Sequence, residues 1–173
     1  IKGFKVESLA SDPTVEDTVG KVWYNTTGSV LKYSAESSGA WSAGGDINRS
    51  QLRGTASFGT QTAGLLISGY TTTIVTSVEE YDGTSWSEVT DIPAGRTSGG
   101  AAGIQTSAIQ ILGGDGSLVT SFEYDGTNWT AGGELSTARA QGGYSGTNQN
   151  SALAISGETA PGAVTVNVEN YDG

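Results

Sequence analysis

Glu79-Glu80-Tyr81-Asp82-Gly83-Thr84-Ser85-Trp86 returns 43 residues later as Phe122-Glu123-Tyr124-Asp125-Gly126-Thr127-Asn128-Trp129. Its centre, Tyr-Asp-Gly, stands a third time at Tyr171-Asp172-Gly173, where the sequence ends in mid-repeat. Self-similarity at a period of 43 to 47 residues marks an architecture of stacked units, each unable to bury its apolar face alone. Upstream of the second Tyr, Arg96 is followed by Gly99, Gly100 and Gly103, an apolar run over 107–112, and Gly113-Gly114. Adding 43 gives Arg139, Gly142, Gly143, Gly146, the run 150–155 and Ser156-Gly157, with no gap. The first copy is looser: Arg53 or Arg49, Gly59, the run 62–67, then Ser68-Gly69.

Each unit reads as four short extended runs. A Gly-rich run follows the Arg, a compact apolar run ends at a small-Gly pair, a Thr/Val-rich run ends at the Tyr, and a last run carries the Trp. Runs of this length, rich in Val, Ile and Thr and bounded by Gly, Asn and Asp, are strands. Asp-Gly at 82–83, 125–126 and 172–173 predicts a tight turn joining the Tyr strand to the Trp strand. Apolar spacing at i, i+3, i+4 and i+7 is missing throughout, so essentially no helix is expected.

The order Arg, apolar strand, Gly-Gly, Val-Glu-x-Tyr-Asp, Trp resembles the kelch repeat. That resemblance implies an all-β, kelch-type β-propeller segment of four-stranded antiparallel blades, with the Gly-rich strand innermost and the Trp strand outermost. Gly and Ala at 99–103 would admit close neighbours, and the rings of Tyr81, Trp86, Tyr124, Trp129 and Tyr171 would fill the gaps between blades. Three repeats are expected at 49–91, 92–134 and 135–173, the last truncated. A start without Met and an end at Tyr-Asp-Gly lead us to expect a trimmed piece of a longer polypeptide.

Composition excludes several chemistries within these 173 residues. Cys and His are both absent, which removes thiol chemistry, disulfides, the commonest metal ligand and the commonest general base. Ser-His-Asp and Cys-His catalysis are therefore impossible. Paired carboxylates remain, as Glu79/Glu80 or Asp82 with Glu88, but adjacent strand residues point to opposite faces and make a poor acid/base pair. The loop 113–117 lacks the spaced acids of a calcium site and the Lys of a phosphate site, so it reads as a plain turn. No enzymatic activity, cofactor or metal is expected. Apolar runs are too short to span a membrane as a helix.

The net charge is −10, and residues 54–173 hold twelve acids against only Arg96 and Arg139. Such a surface argues against nucleic-acid phosphates as partners and favours solubility. The two cations share one repeat position, which makes them architectural: each is expected to bond carbonyls, or the carboxylate near a Tyr (Glu79, Glu123 or Glu169) in a neighbouring blade.

The beginning of the chain differs. Residues 1–20 read as an extended arm or connector. Residues 21–48 read as a partial first blade without its inner strand, with a turn at 25–28, a second at Ser38-Gly39, and Tyr33 and Trp41 in the repeat's Tyr and Trp places. Val22-Trp23-Tyr24-Asn25-Thr26-Thr27-Gly28-Ser29-Val30-Leu31-Lys32-Tyr33, followed by Gly39-Ala40-Trp41, looks like a short motif of bacteriophage tail-fibre and other virion proteins. Glu79–Trp86 and the stretch 59–65 resemble kelch-like proteins of marine phages. The resemblance implies a non-enzymatic virion structural protein, a tail-fibre or surface-appendage component that contacts other virion proteins, copies of itself, or a host glycan or receptor. The alternative is a cellular or extracellular kelch propeller that binds protein or carbohydrate. Tyr24, Tyr70 and Tyr144 fall outside the period and are the candidates for a surface ligand contact.

Overall fold

The computed structural model describes residues 6–13, 21–34, 39–49, 53–111, 113–114, 118–160 and 162–173. These residues form an all-β chain without helix, and the chain divides into two units, Ile1–Ala43 and Gly44–Gly173.

In the smaller unit, β1 (Glu7–Leu9) pairs parallel with β2 (Val22–Asn25), which pairs antiparallel with β3 (Val30–Tyr33). Part of the expected arm therefore forms a strand, while 1–5 and 14–20 lie outside the described residues, as does Ser38 of the second expected turn. The turn after Asn25 forms as read, with the Gly28 N–H donating to Asn25 Oδ1 at 2.8 Å. Asp12 ties the sheet together. Its Oδ1 accepts from Trp23 Nε1 at 3.1 Å and from Asn25 Nδ2 at 2.8 Å, and its Oδ2 pairs with Lys32. The bond to Lys32, then those to Asn25 and Trp23, hold its carboxyl down at about 2.

In the larger unit, β4 (Ala56–Thr60), β5 (Ala63–Tyr70), β6 (Ile74–Tyr81) and β7 (Trp86–Val89) form a four-stranded antiparallel meander. A second meander contains β8 (Gly100–Ile104), β9 (Ser107–Ile111), β10 (Ser121–Tyr124) and β11 (Trp129–Ala131). A third has only β12 (Gly143–Asn148), β13 (Ser151–Thr159) and β14 (Ala163–Tyr171). The first strands β4, β8 and β12 lie side by side and bring the sheets together in sequence order. Hydrogen bonds run from sheet to sheet there, from the Ser98 N–H to Gly54 O at 3.1 Å and from the Gln141 N–H to Ser98 O at 3.0 Å.

Asp-Gly does join the Tyr and Trp strands, through a four-residue loop in which the two residues divide the work. Gly83 and Gly126 take positive φ (95° and 92°). Asp82 Oδ1 accepts the N–H groups of Thr84 and Ser85, each at 2.8 Å, and Asp125 Oδ1 does the same for Thr127 and Asn128. The small-Gly pair is a β-bulge. Ser68 and Ser156 sit at φ 54° and 57°, where the pairing of β5 with β6 and of β13 with β14 shifts register. Their hydroxyls reach across to the next strand, to Val75 O and Thr165 O, each at 2.7 Å, which explains a Ser in a backbone conformation that favours Gly.

Strand pairing corrects the gapless superposition. Tyr81, Tyr124 and Tyr171 stand opposite Gly64, Ala108 and Ala152. Ala108 thus corresponds to Ala152, not to Ser151, because β12 carries a bulge between Gly146 and Asn148 that inserts one residue. A one-residue slip would exchange the faces of the whole strand.

Two apolar clusters fill the seams. Between the first two sheets lie Leu65, Ile67, Val78, Ala108, Tyr124 and Trp129; between the second and third lie Ala102, Ile109, Ile111, Ala152 and Ala154. Gly100 is needed because the Tyr144 ring lies where its Cβ would be.

Candidate functional site

The polar side chains of the repeats are spent on holding sheets together. The Tyr124 hydroxyl donates to Glu80 Oε1 of the preceding sheet at 3.0 Å, and the Tyr171 hydroxyl donates to Glu123 Oε1. Burial, then the bond to Glu80, pushes the Tyr124 hydroxyl well above its ordinary range. For Tyr171 the bond to Glu123 comes first and burial second. Tyr81 and Tyr124 also pack on the Trp of their own sheets, with centroids 5.0 Å apart for Tyr81–Trp86 and 4.7 Å for Tyr124–Trp129. The Trp129 indole N–H crosses the seam to Thr90 O at 3.0 Å.

The two repeat arginines face their own sheets, not a neighbour's carboxylate. Arg139 is fully buried and donates to Thr137 O at 3.3 Å, Ser156 O at 3.3 Å, Asn167 O at 2.8 Å and Glu169 Oε1. Burial pushes the Glu169 carboxyl up, but bonds from Ser136 and the Arg139 charge hold it below its ordinary value. Arg96 donates to Gly95 O and Thr120 Oγ1 and lies over the Phe122 ring, with no bond to Glu123. Phe122 occupies in the second sheet the place of Glu169 in the third, two residues before the Tyr, so one repeat position meets either a charge or a ring.

Arg53 is not the first copy of these residues. It pairs by backbone with Tyr70 as Ala140 does with Glu158, which puts it one position after the repeat arginine, and its guanidinium covers the Tyr70 ring at 4.9 Å. Glu79, which corresponds to Glu169, is bound instead by the N–H and side chain of Asn48, at 2.8 and 2.9 Å, and by the Arg49 N–H at 3.3 Å. Arg49 itself pairs with Glu88 at 3.5 Å. Both carboxylate pairs raised by the sequence are therefore occupied structurally. Among the described residues no cluster of acids could hold a metal ion.

The residues outside the period separate. Tyr144 packs in a seam against Gly100 and is no free surface contact. Tyr70 is half-buried under Arg53. Tyr24 is exposed and stands opposite exposed Leu31 on the smaller sheet. Tyr33 is 75% exposed and Trp41 is fully exposed outside any strand, so this pair does not form the packed unit made by Tyr81–Trp86 and Tyr124–Trp129. Their surroundings explain the difference: no further strand of the smaller sheet covers β3 among the described residues.

The surface left open by the stacking was not singled out from the sequence. Val164, Val166 and Val168 project from β14 and are 78%, 88% and 56% exposed. Val168 stands opposite Ile155 as Val78 stands opposite Ile67, yet Val78 and Ile67 are completely buried under the second sheet. In the alternation Val164-Thr165-Val166-Asn167-Val168, counted back from the Tyr, Val168 takes the place of buried Val78, whereas Val164 takes that of Ile74, which is itself 52% exposed. In the seam between the second and third sheets, Tyr171, Gly133, Leu135, Ile109 and Ile111 line a cavity of about 50 Å³. No helix of the described residues is long and apolar enough to cross a membrane.

No family model and no curated protein matches this sequence. The chain is similar to a solved structure titled "Structure of YjhT", at 22% identity and a TM-score of 0.57, over 85% of this chain and 47% of that one. It thus spans about half the length of that structure, and at this identity the likeness is one of fold.

Proposed function

We propose that the chain is part of a kelch-like β-propeller and serves without chemistry as a virion structural protein, a tail-fibre or surface-appendage component of a bacteriophage. The observation that carries the non-catalytic part is the employment of its carboxylates: Glu79, Glu80, Glu123 and Glu169 are all bonded to seam or loop donors. A stack of sheets joined in this way is a rigid display platform, suited to multivalent contact with neighbouring subunits or a host surface. The virion assignment rests on the wording of the sequence over residues 22–41 and 79–86. Mass spectrometry and imaging of purified particles test it: the chain in tail or appendage density supports the reading, and its absence from particles removes it.

Exposed Tyr24 beside Leu31 favours a second reading, a cellular or extracellular propeller that binds protein or carbohydrate. Saturable binding on a glycan array, lost in Tyr24→Ala and without particle association, would select it. Turnover of a glycan substrate that disappears with one Asp or Glu substitution would overturn both.

A further inference from the structure

We propose that Asp82 and Asp125 are modification sites gated by folding: the folded loops block conversion of each Asp–Gly linkage to isoaspartate, whereas a chain that stays open undergoes it and then cannot rebuild the turn between its Tyr and Trp strands. The proposal is independent of the virion reading.

Asp followed by Gly invites this reaction because a glycine nitrogen has no neighbouring Cβ to shield it. The Gly nitrogen attacks Cγ of the Asp side chain and closes a five-membered succinimide. The proton of that nitrogen leaves with the carboxyl hydroxyl as water. Water then adds to one of the two ring carbonyls. Addition at the side-chain carbonyl restores Asp. Addition at the backbone carbonyl leaves the main chain running through Cγ, one methylene longer. Water is the only co-reactant, and nothing is oxidised or reduced.

The folded loops oppose the first step at the carboxyl. Asp82 Oδ1 is held by the N–H groups of Thr84 and Ser85, and Asp125 Oδ1 by those of Thr127 and Asn128. Ser85 Oγ adds a donor to Asp82 Oδ2 at 3.3 Å. Turning Cγ onto the Gly nitrogen takes the carboxyl away from these donors, so the bonds must break before the ring can close. The N–H groups of Ser85 and then Thr84 hold the Asp82 carboxyl below its ordinary value, and those of Asn128 and Thr127 do the same for Asp125. Both side chains are therefore ionised at neutral pH, and a carboxylate is a poor electrophile with no hydroxyl to lose.

The attacking nitrogen is restrained as well. Asp82 N–H donates to Ser85 O and Asp125 N–H to Asn128 O, each at 3.2 Å, which closes each loop on itself. Gly83 and Gly126 lie against the preceding turn of their own sheet. A Cβ on Gly83 would stand 3.3 Å from Thr62 Cβ, and one on Gly126 would stand 3.2 Å from Thr106 Cα. Ring closure thus lifts the loop off that turn.

The product does not fit the place of the starting residue. An added methylene lengthens the loop that sets Tyr81 opposite Trp86 and Tyr124 opposite Trp129. It also removes the side-chain carboxyl that gathered the loop's N–H groups. Damage at Asp125 is the more serious, because Trp129 is buried in the first seam with its N–H on Thr90 O, and Tyr124 is stapled to Glu80. Trp86 is only half-buried.

Incubation of the full chain in buffer and in urea, followed by peptide mass spectrometry with electron-transfer fragmentation, measures isoaspartate at each site. Its formation at Asp82 and Asp125 should be at least about tenfold slower in the folded chain, as for loops open about a tenth of the time or less. A smaller difference overturns the proposal. Asp82→Asn and Asp125→Asn keep an acceptor oxygen, cannot ionise, and release ammonia instead of water on ring closure. With folding confirmed by circular dichroism, their ring closure should still be slower in buffer than in urea; equal rates overturn the role of the hydrogen bonds. After urea is removed, chains that fail to refold should be enriched in isoaspartate at Asp125. Treatment with protein isoaspartyl methyltransferase and its methyl donor should restore their refolding. Equal isoaspartate in refolded and unrefolded chains overturns the claim that the product cannot rebuild the turn.

Discussion

Arg139→Ala is the sharpest test of how the third sheet is held. The guanidinium is fully buried, and its donors serve three carbonyls and the Glu169 carboxylate, whose side chain is 22% exposed. Removing one partner of a buried pair costs about 3–5 kcal/mol when both charges are enclosed. Partial exposure of Glu169 moves the figure to the low end, about 3 kcal/mol, and that value includes the carbonyls left without a donor. For a unit of this size the melting temperature should fall by roughly 10 °C. Arg96→Ala is the internal control. Arg96 is only half-buried, bonds Gly95 O and Thr120 Oγ1, and rests on Phe122, so its loss should cost about 1 kcal/mol. Thermal melts followed by circular dichroism measure the pair, and hydrogen exchange locates the damage. Protection should drop in β13 and β14 and persist in β4–β7, because stacked units are stabilised mainly by their neighbours. A melt of Arg139→Ala within about 2 °C of wild type, or a larger loss for Arg96→Ala, would show that burial of this guanidinium does not organise the sheet.

Tyr124→Phe removes the staple to Glu80 while keeping the ring on Trp129, and should cost about 1–2 kcal/mol in denaturant unfolding. The Tyr124, Tyr144 and Tyr171 hydroxyls are all raised above their ordinary value, so their contribution is complete below pH 10. It should be lost as pH rises beyond that, and Tyr124→Phe with Tyr171→Phe should flatten the alkaline limb of the stability profile. Asp12 is lowered from 3.8 to about 2, so its support of the smaller sheet is present above pH 4 and should disappear as pH falls toward 2. The Trp23 indole N–H resonance reports this directly, and Asp12→Asn should abolish the transition. Gly100→Ala drives a methyl into the Tyr144 ring and should cost about 1–3 kcal/mol; an unchanged melt would mean that the ring moves aside freely.

The period, the strand content and the pairing of Tyr81 with Trp86 and of Tyr124 with Trp129 were legible in the residues because they are local, whereas Tyr33 and Trp41, given the same places, do not pack together. Asp82 and Asp125 close their loops on N–H groups two and three residues away, and the side chains of Tyr81 and Trp86 meet across that same loop. The bulge in β12 and the place of Arg53 were not legible. Each is a shift of one residue that becomes visible only when a strand finds its partner. Likewise, Tyr144 read as a surface candidate, and only the neighbouring sheet shows its ring lying over Gly100.

What the sequence alone determined is the repeating unit: four short strands, a turn chemistry and a set of rings with defined spacing. What tertiary structure decided is the use of each group. Whether Glu169 meets an arginine, whether a Tyr hydroxyl bonds Glu80 or Glu123, and whether a valine is buried like Val78 or bare like Val168 all depend on what lies across the seam. Turn and strand preferences act within a few residues, whereas burial and charge pairing are set by surfaces that are distant in the chain.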